Sequence, residues 1–386
     1  MKRIYMDYAA ATPVDPRVVE AMVPYFYEKF GNTMSPYSLG QEAKASLEES
    51  RALIAKSLGA KPEEIIFTGS ASESNNLAVK GVAFANRKRG KHIVTSPIEH
   101  ACVMESSNWL EQQGFEVTRL PVDEQGLVDL GDVERAIRKD TILVSVIHAS
   151  NEIGTIEPIK EIGAICNEKG VYFHTDAAQS FGKIDVDVGD SGVDLLTSSS
   201  HKMYGPKGAA CLYKREGVNI EPILHGGGHE FGLRSSTVNV PAIVGFSEAV
   251  RLCNEEMRDE AGRLASLRDK LTKEILEIED SRLNGHPTLR LPSNANFSFS
   301  FIDGEAIAME LNYHGIATST GSACSSAESK PSHVLLAIGL TPWEALGSLR
   351  LSLGRWSTEE DVDFLLETLP NVIKRLRKIS PFKREK

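Results

Sequence analysis

Lys202 stands in Thr197-Ser-Ser-Ser-His-Lys-Met-Tyr-Gly-Pro-Lys-Gly208, between a short polar run and a Gly-Pro turn. Gly205 and Pro206 forbid helix just beyond it, so the spacing predicts a lysine held on a loop. Upstream, Val171-Tyr-Phe-His-Thr-Asp176 is an apolar run of strand length that ends in a carboxylate. Asp194-Leu-Leu-Thr-Ser198 is a second such run and delivers the chain to Lys202. The two strand ends are expected to bring Asp176 and Lys202 to one site. An aspartate against a pyridinium nitrogen, with a lysine able to form a Schiff base, is the pair that pyridoxal phosphate (PLP) chemistry requires. Either residue alone reads as a solvated charge or a turn residue. Together and in this order they do not.

The cysteines are the next candidates. The five cysteines, Cys102, Cys166, Cys211, Cys253 and Cys324, are odd in number and contain no CxxC, which argues against a disulfide framework or a zinc finger. Cys166 lies at helical spacing from Ile159 and Ile162, Cys253 accompanies Val250 and Met257, and Cys211 sits in the strand-like Ala209–Tyr213 run. These three read as packing residues. Cys324, among Gly321, Ser322, Ser325 and Ser326, has no apolar neighbours to pack with, and its small flanking residues give it freedom to travel.

The elements that must position these groups follow from pattern. At 386 residues and 41% hydrophobic, the chain can bury large cores and is expected to form two domains. A net charge of −10 gives no nucleic-acid footprint, which weakens any reading with a tRNA substrate. The N-terminus passes straight into structured-looking sequence and no stretch approaches membrane-span length, so a soluble cytoplasmic protein is expected, with no membrane and no nucleic-acid partner.

Asp15-Pro16 predicts a capped helix reaching about Phe30, followed by a loop over Gly31–Ser38 and a helix over about Gln41–Leu58. Strand-like runs then alternate with helices: Glu64–Thr68, Ile93–Ser96, Phe115–Leu120, Thr141–Val146, Val171–Asp176, Asp194–Ser198 and Ala209–Tyr213. That alternation predicts an α/β large domain with a mostly parallel sheet of these seven strands, covered by helices. A helical stretch over about Pro241–Ile278 bridges to a small α/β lobe, giving a large domain at 15–255 and a small one at 1–14 plus 256–386. In Phe67-Thr-Gly-Ser-Ala-Ser-Glu-Ser-Asn-Asn76 a small-residue turn enters a helix, where free N–H groups and the helix dipole favour a dianion. By pattern alone this is the ordinary strand-to-helix connection, and it matches neither a P-loop nor a dinucleotide fingerprint. Arg350, between Leu349 and Leu351, faces away from the core if those leucines face it, and a guanidinium there suits a carboxylate.

Asp176-Ala-Ala-Gln179, Ser199-Ser-His-Lys-Met-Tyr-Gly-Pro-Lys-Gly208 and Ser319-Thr-Gly-Ser-Ala-Cys-Ser-Ser326 resemble the cysteine desulfurases of the NifS/IscS type, in the class V aminotransferase family. The similarity runs from Tyr5 to Pro381. It implies the PLP-dependent transferase fold type I and a homodimer. By the same resemblance Asp176 is expected to keep the ring nitrogen protonated, Gln179 to bond the phenolic oxygen, and Ala71, Ser72, Ser199 and His201 to contact the phosphate. Thr237 is expected to reach the neighbouring subunit's phosphate. His100 is expected to lie over the ring, Asn151 to sit near the ring hydroxyl and the substrate carboxylate, and Arg350 to grip that carboxylate.

The implied reaction uses Lys202 as cofactor attachment and as base at Cα of L-cysteine. Cys324, as thiolate, takes the sulfur as a persulfide and leaves alanine. The loop length resembles that of desulfurases serving Fe–S scaffold proteins. Gly31-Asn-Thr-Met-Ser-Pro-Tyr37 departs from the family's Gly-Asn-Pro-Ser-Ser turn, and Ser200 and Ser236 replace common glycines. A selenocysteine lyase would share nearly everything, a class V aminotransferase would not need Cys324, and a non-enzymatic sulfur carrier or scaffold would not need Lys202. The sequence leaves open which acceptor takes the sulfur and whether Cys324 also ligates an Fe–S cluster; no other metal ligand set is seen.

Overall fold

The computed structural model describes residues 3–321 and 331–381. Twelve strands are formed among these residues: β1 (Ile4–Tyr5), β2 (Ile65–Thr68), β3 (His92–Thr95), β4 (Glu116–Arg119), β5 (Thr141–Ser145), β6 (Tyr172–Asp176), β7 (Leu195–Ser199), β8 (Ala210–Lys214), β9 (Ser281–Asn284), β10 (Asn294–Phe299), β11 (Ile316–Ala317) and β12 (Ser348–Ser352). Seven of them build one sheet in the order β2-β8-β7-β6-β5-β3-β4. The run β7-β6-β5-β3-β4 is parallel, and β8 lies antiparallel to both its neighbours. The expected mostly parallel seven-stranded sheet is therefore present. Strands β2, β3, β5 and β7 are buried at every residue, as strands covered by helices on both faces must be, whereas β4 carries exposed Glu116 and Arg119 on the outer edge.

At the other edge, β2 has its backbone satisfied by side chains. Arg51 Nη1 donates to the Ile65 carbonyl at 2.7 Å and the Phe67 N–H donates to Glu230 Oε2 at 2.8 Å, while Arg51 and Glu230 pair at 2.8 Å. Because β2 runs parallel to β7, the chain leaves β2, β3, β5, β6 and β7 at one edge of the sheet. In open parallel sheets that edge is where ligands bind.

The helix opened by Asp15-Pro16 ends sooner than its sequence suggested. It spans Pro16–Met22, and Pro24, which has no N–H to continue the ladder, starts a separate turn over Pro24–Tyr27; Phe30 is outside it. The helix predicted from Gln41 begins at Ser38 and ends at Leu58, with Gly59 at φ +71 as its C-cap.

A helix of 36 residues, Val240–Ile275, connects two hydrophobic cores. Its first half contributes Ile243, Phe246 and Val250 to the core of the large sheet, and its second half contributes Leu264, Leu271 and Ile275 to another. That second core lies against the antiparallel sheet β12-β10-β9 and the helices Gly304–Tyr313 and Glu359–Ile379. The N-terminal strand β1 joins this part of the molecule by pairing with β11.

The helix at Gly304 is seated directly on β12, the strand of Arg350. A Cβ at Gly304 would lie 2.0 Å from the Ser348 carbonyl oxygen, a fixed backbone atom. Gly304→Ala is expected to cost roughly 1–3 kcal/mol through overpacking and to lower the thermal midpoint. An unchanged midpoint would mean that the helix does not rest on β12 this closely.

Candidate active site

Lys202 follows β7 as the last residue of a single 3-10 turn, Ser200–Lys202, rather than standing on an irregular loop, and no α-helix continues from it. Beyond it Tyr204 takes φ +66 and the chain turns at Gly205. The Lys202 ammonium donates to the carbonyls of Ala9 and Ala10, each at 2.7 Å. The same N-terminal strap holds the loop on both sides of the lysine. Thr12 Oγ1 donates to the His201 carbonyl at 3.1 Å and accepts from the Tyr204 N–H at 2.8 Å.

Asp176 is the last residue of β6 and is 4% exposed. Asn75 Nδ2 donates to its Oδ2 at 2.6 Å and the Ala178 N–H donates to its Oδ1 at 2.9 Å. Among the described residues it makes no ion pair. Gln179, also buried, donates from Nε2 to the Ala9 carbonyl at 2.9 Å and accepts at Oε1 from Lys183 at 2.9 Å. The Ala9 carbonyl thus meets both Gln179 and Lys202.

At the end of β2, Ser70 caps the helix Ala71–Asn86 by accepting from the Glu73 N–H, and so places Ala71 and Ser72 in its first turn. The leading N–H groups of a helix have no partner within it. Across the site, Ser199 Oγ and His201 Nδ1 lie 2.9 Å apart. Burial, together with the charges of Lys202, Lys207 and Lys183, pushes His201 down to about 4, so it is neutral at pH 7. A bound dianion would oppose the cationic part of that shift.

His100 caps the helix Ala101–Gln112 with its ring: Nδ1 accepts the Cys102 N–H at 3.2 Å and lies 3.0 Å from the Cys102 sulfur. With Nδ1 accepting, the proton of the neutral ring sits on Nε2. Cys102 also receives Asn75 Nδ2 at 3.1 Å and interacts with Ser72. Burial first, then the charge of Asp176, pushes its thiol up to about 12. Cys102 is therefore a protonated thiol joining the Ser70 turn, the Asp176 support and His100.

Arg350 is 2% exposed, and Leu349 and Leu351 enter the core beside it as their alternation required. Its Nη2 pairs with Asp7 at 2.7 Å and its Nη1 donates to the carbonyls of Asn151 at 2.9 Å and Gly321 at 3.2 Å. Among the described residues its Nε is buried without a partner. Asn151 meets Arg350 through its backbone carbonyl. Thr237 is exposed and shares no hydrogen bond with the Ala71 turn within the described residues. Cys324 lies outside the described residues. On either side of that stretch, Ser332 Oγ donates to Glu152 Oε2 at 2.5 Å, and a Cβ at Gly321 would lie 3.3 Å from the same oxygen.

Asn75, Cys102, Lys183, Glu152 and the Arg350 partner Asp7 were not singled out by motif. Asn75 follows the Gly-Ser turn by one helical turn, Glu152 adjoins Asn151, and Lys183 stands four positions after Gln179; those spacings were the available signals. The assembled groups fit PLP. A buried carboxylate supported by amide donors suits a protonated ring nitrogen, a lysine follows the neighbouring strand β7, and a helix N-terminus with hydroxyl and imidazole neighbours suits a phosphate. Asn75 Oδ1, buried next to Asp176 without a hydrogen-bond partner, marks a polar position left to be filled.

The model of the family aminotransferase class-V matches residues 4–365. Cysteine desulfurase IscS of Dictyoglomus turgidum is 51% identical over 387 residues, covering 100% of this chain and 98% of that protein. Cysteine desulfurase IscS 1 of Archaeoglobus fulgidus is 53% identical over 380 residues, covering 98% of this chain and 99% of that one. A solved structure described as a NifS-like protein superposes with a TM-score of 0.92 at 38% identity, covering 97% of this chain and 100% of its own.

Beside His100, Glu99 is fully buried. Its Oε1 accepts from Ser96 Oγ and from the Ile147 N–H, both at 2.7 Å, and its Oε2 has no partner among the described residues. Burial pushes its carboxyl up to about 8, and Glu157 is pushed to the same range for the same reason. Between the ordinary value of 4.5 and about 8 the folded state then binds protons that the unfolded state has released. Stability must fall as pH rises through that window, by up to about 1.4 kcal/mol per pH unit for each such group. Glu99→Gln is expected to make the fall between pH 5 and 8 shallower, measured by urea unfolding at stepped pH. Parallel curves for the two proteins would show that Glu99 does not carry the proton.

Proposed function

The chain belongs to the aminotransferase class-V family, and from that membership and the site geometry we infer that it is a PLP-dependent cysteine desulfurase. It takes sulfur from L-cysteine, releases L-alanine and holds the sulfur as a persulfide on Cys324. The observation that carries the reading is the meeting of Gln179 and Lys202 at the Ala9 carbonyl, with Asp176 three residues before Gln179 at the carboxyl end of β6.

When bound, PLP supplies an electron sink for the charge left on Cα. The chain's own residues do the rest. Asp176 holds the proton on the ring nitrogen, and Gln179 offers Nε2–H to the phenolic oxygen. The first-turn amides of Ala71 and Ser72, with Ser199 and His201, hold the phosphate, and the partner subunit's Thr237 completes the set. His100 covers the ring with its proton on Nε2.

Arg350 and Asn151 hold the substrate carboxylate. Arg350 already shares its guanidinium with Asp7, so the substrate joins an existing pair, with Nε as the donor left for it. Lys202 moves the proton from Cα. Cys324 thiolate then attacks the substrate sulfur. The new S–S bond forms as the C–S bond breaks, its electron pair goes to carbon, and protonation there gives alanine.

A homodimer is supported by a run of large apolar side chains, Phe26, Tyr27, Phe30, Met34 and Tyr37, each 58–63% exposed, on a segment that a second copy would cover. The division of the chain at 15–255 and at 1–14 plus 256–386 is supported by the two cores that Val240–Ile275 joins. The persulfide is passed to an Fe–S scaffold or another sulfur acceptor. The proposed site of action is the cytoplasm; no helix among the described residues is long and apolar enough to cross a membrane.

The test follows alanine and protein-bound persulfide through a single turnover with cysteine. Cys324→Ala should bind PLP as the wild type does and lose both products by about two orders of magnitude or more. Alanine and sulfide formed at the wild-type rate would mean that sulfur leaves by elimination or through another thiol.

A further inference from the structure

The amide of Gln179 is held between two groups that accept only one orientation. Its Oε1 faces Lys183 Nζ at 2.9 Å and its Nε2 faces the Ala9 carbonyl at 2.9 Å. Turned over, the amide would set its NH2 against the Lys183 ammonium, which can only donate, and its oxygen against a carbonyl that can only accept. Lys183 and Ala9 together therefore decide which way Gln179 points. Since Lys202 Nζ donates to the same Ala9 carbonyl, the network runs from Lys183 through Gln179 to the reactive lysine.

Lys183 is built closely into this place. Gly182, just before it, has φ +78, and a Cβ there would lie 2.1 Å from the Met203 methyl and 3.3 Å from Cys253 Sγ. Lys183 lines a small cavity with Tyr204, Glu260, Ser293 and Leu353. Yet its hydrogen bond goes to an amide, because Glu260 is engaged by Tyr204 and by Arg355. Among the described residues Lys183 makes no ion pair.

Burial and then the charge of Lys202 lower Lys183 to about 7; Cys253 and Glu260 oppose the shift and Arg350 adds to it. Charged or neutral, the amine keeps an N–H to donate.

We propose that Lys183 is a positioning residue which, by holding Gln179 Oε1, turns the Gln179 N–H and not its carbonyl toward the phenolic oxygen of bound PLP. The proposal rests on the reading of Gln179 as a ring contact. A carbonyl in that position would repel an electron-rich oxygen, and an amide free to rotate would present both faces.

The test is a double-mutant cycle on PLP affinity, read from the visible absorption of the bound cofactor without substrate. Gln179→Ala and Lys183→Met should each weaken binding about 10- to 100-fold, the scale of one hydrogen bond to a charged group. The double variant should be no weaker than Gln179→Ala alone, since Lys183 acts through Gln179. Lys183→Met should also move the pH at which the bound cofactor changes colour, and Lys183→Arg should restore it. Thermal melting without PLP reports folding, and Lys183→Leu replaces Lys183→Met if the latter does not fold. Additive losses in the double variant would overturn the proposal. So would wild-type affinity in Lys183→Met beside a weakened Gln179→Ala. If Gln179→Ala itself binds PLP normally, the reading of Gln179 falls and the role of Lys183 falls with it.

Discussion

The hydrogen bonds from Lys202 to the carbonyls of Ala9 and Ala10 join parts of the chain some 190 residues apart, and the site depends on that junction. The strap from Asp7 to Thr12 serves several groups at once. Asp7 pairs with Arg350, Ala9 receives Gln179 and Lys202, Ala10 receives Lys202, and Thr12 clasps the backbone on either side of Lys202. The strap is itself fixed by Tyr5, whose hydroxyl donates to the carbonyls of Asp7 and Ala11, and by Ser352 Oγ, which accepts the Ala9 N–H. A residue near the end of β12 and one near the end of β7 are thus referred to the same few backbone atoms.

This arrangement concentrates polar groups where burial is costly. Asp176, Glu99 and Arg350 are each at most 4% exposed. Each is supported by amides, hydroxyls or carbonyls placed by the ends of strands, because a buried charge without such donors would neutralise or unfold the site. Glu99 shows the limit of that support: it has two donors on one oxygen and none on the other, and burial holds it protonated. Parallel strands make the gathering possible, since their carboxyl ends lie at one edge and each loop leaving that edge adds a group.

Much of this was legible in the residues. Strand-length apolar runs predicted the large sheet and put Asp176 and Lys202 at the ends of two of its strands, and the leucines around Arg350 gave its direction. Prolines were harder: Asp15-Pro16 was read correctly as a helix start, but Pro24 also starts a turn of its own and shortens that helix. The supporting residues were not legible. Asn75 reaches Asp176 across 101 positions and Glu152 reaches Ser332 across 180, and nothing local in an asparagine or a glutamate says which distant strand end it will meet. Lys183 was hidden for another reason. Its four-residue spacing from Gln179 looks helical, but the segment is a turn, and the contact follows from Gly182 taking φ +78.

The central claim is that this convergence makes Lys202, and no neighbouring lysine, the point at which PLP is covalently held. Lys183 lies in the same network, so the claim is exacting. Reduction of the PLP-loaded protein with borohydride fixes the cofactor where it is bound, and peptide mapping by mass spectrometry then finds the modified lysine. The account predicts one modified peptide, the one containing Lys202. Modification at Lys183 or at any other lysine, or no reducible linkage at all, would contradict it.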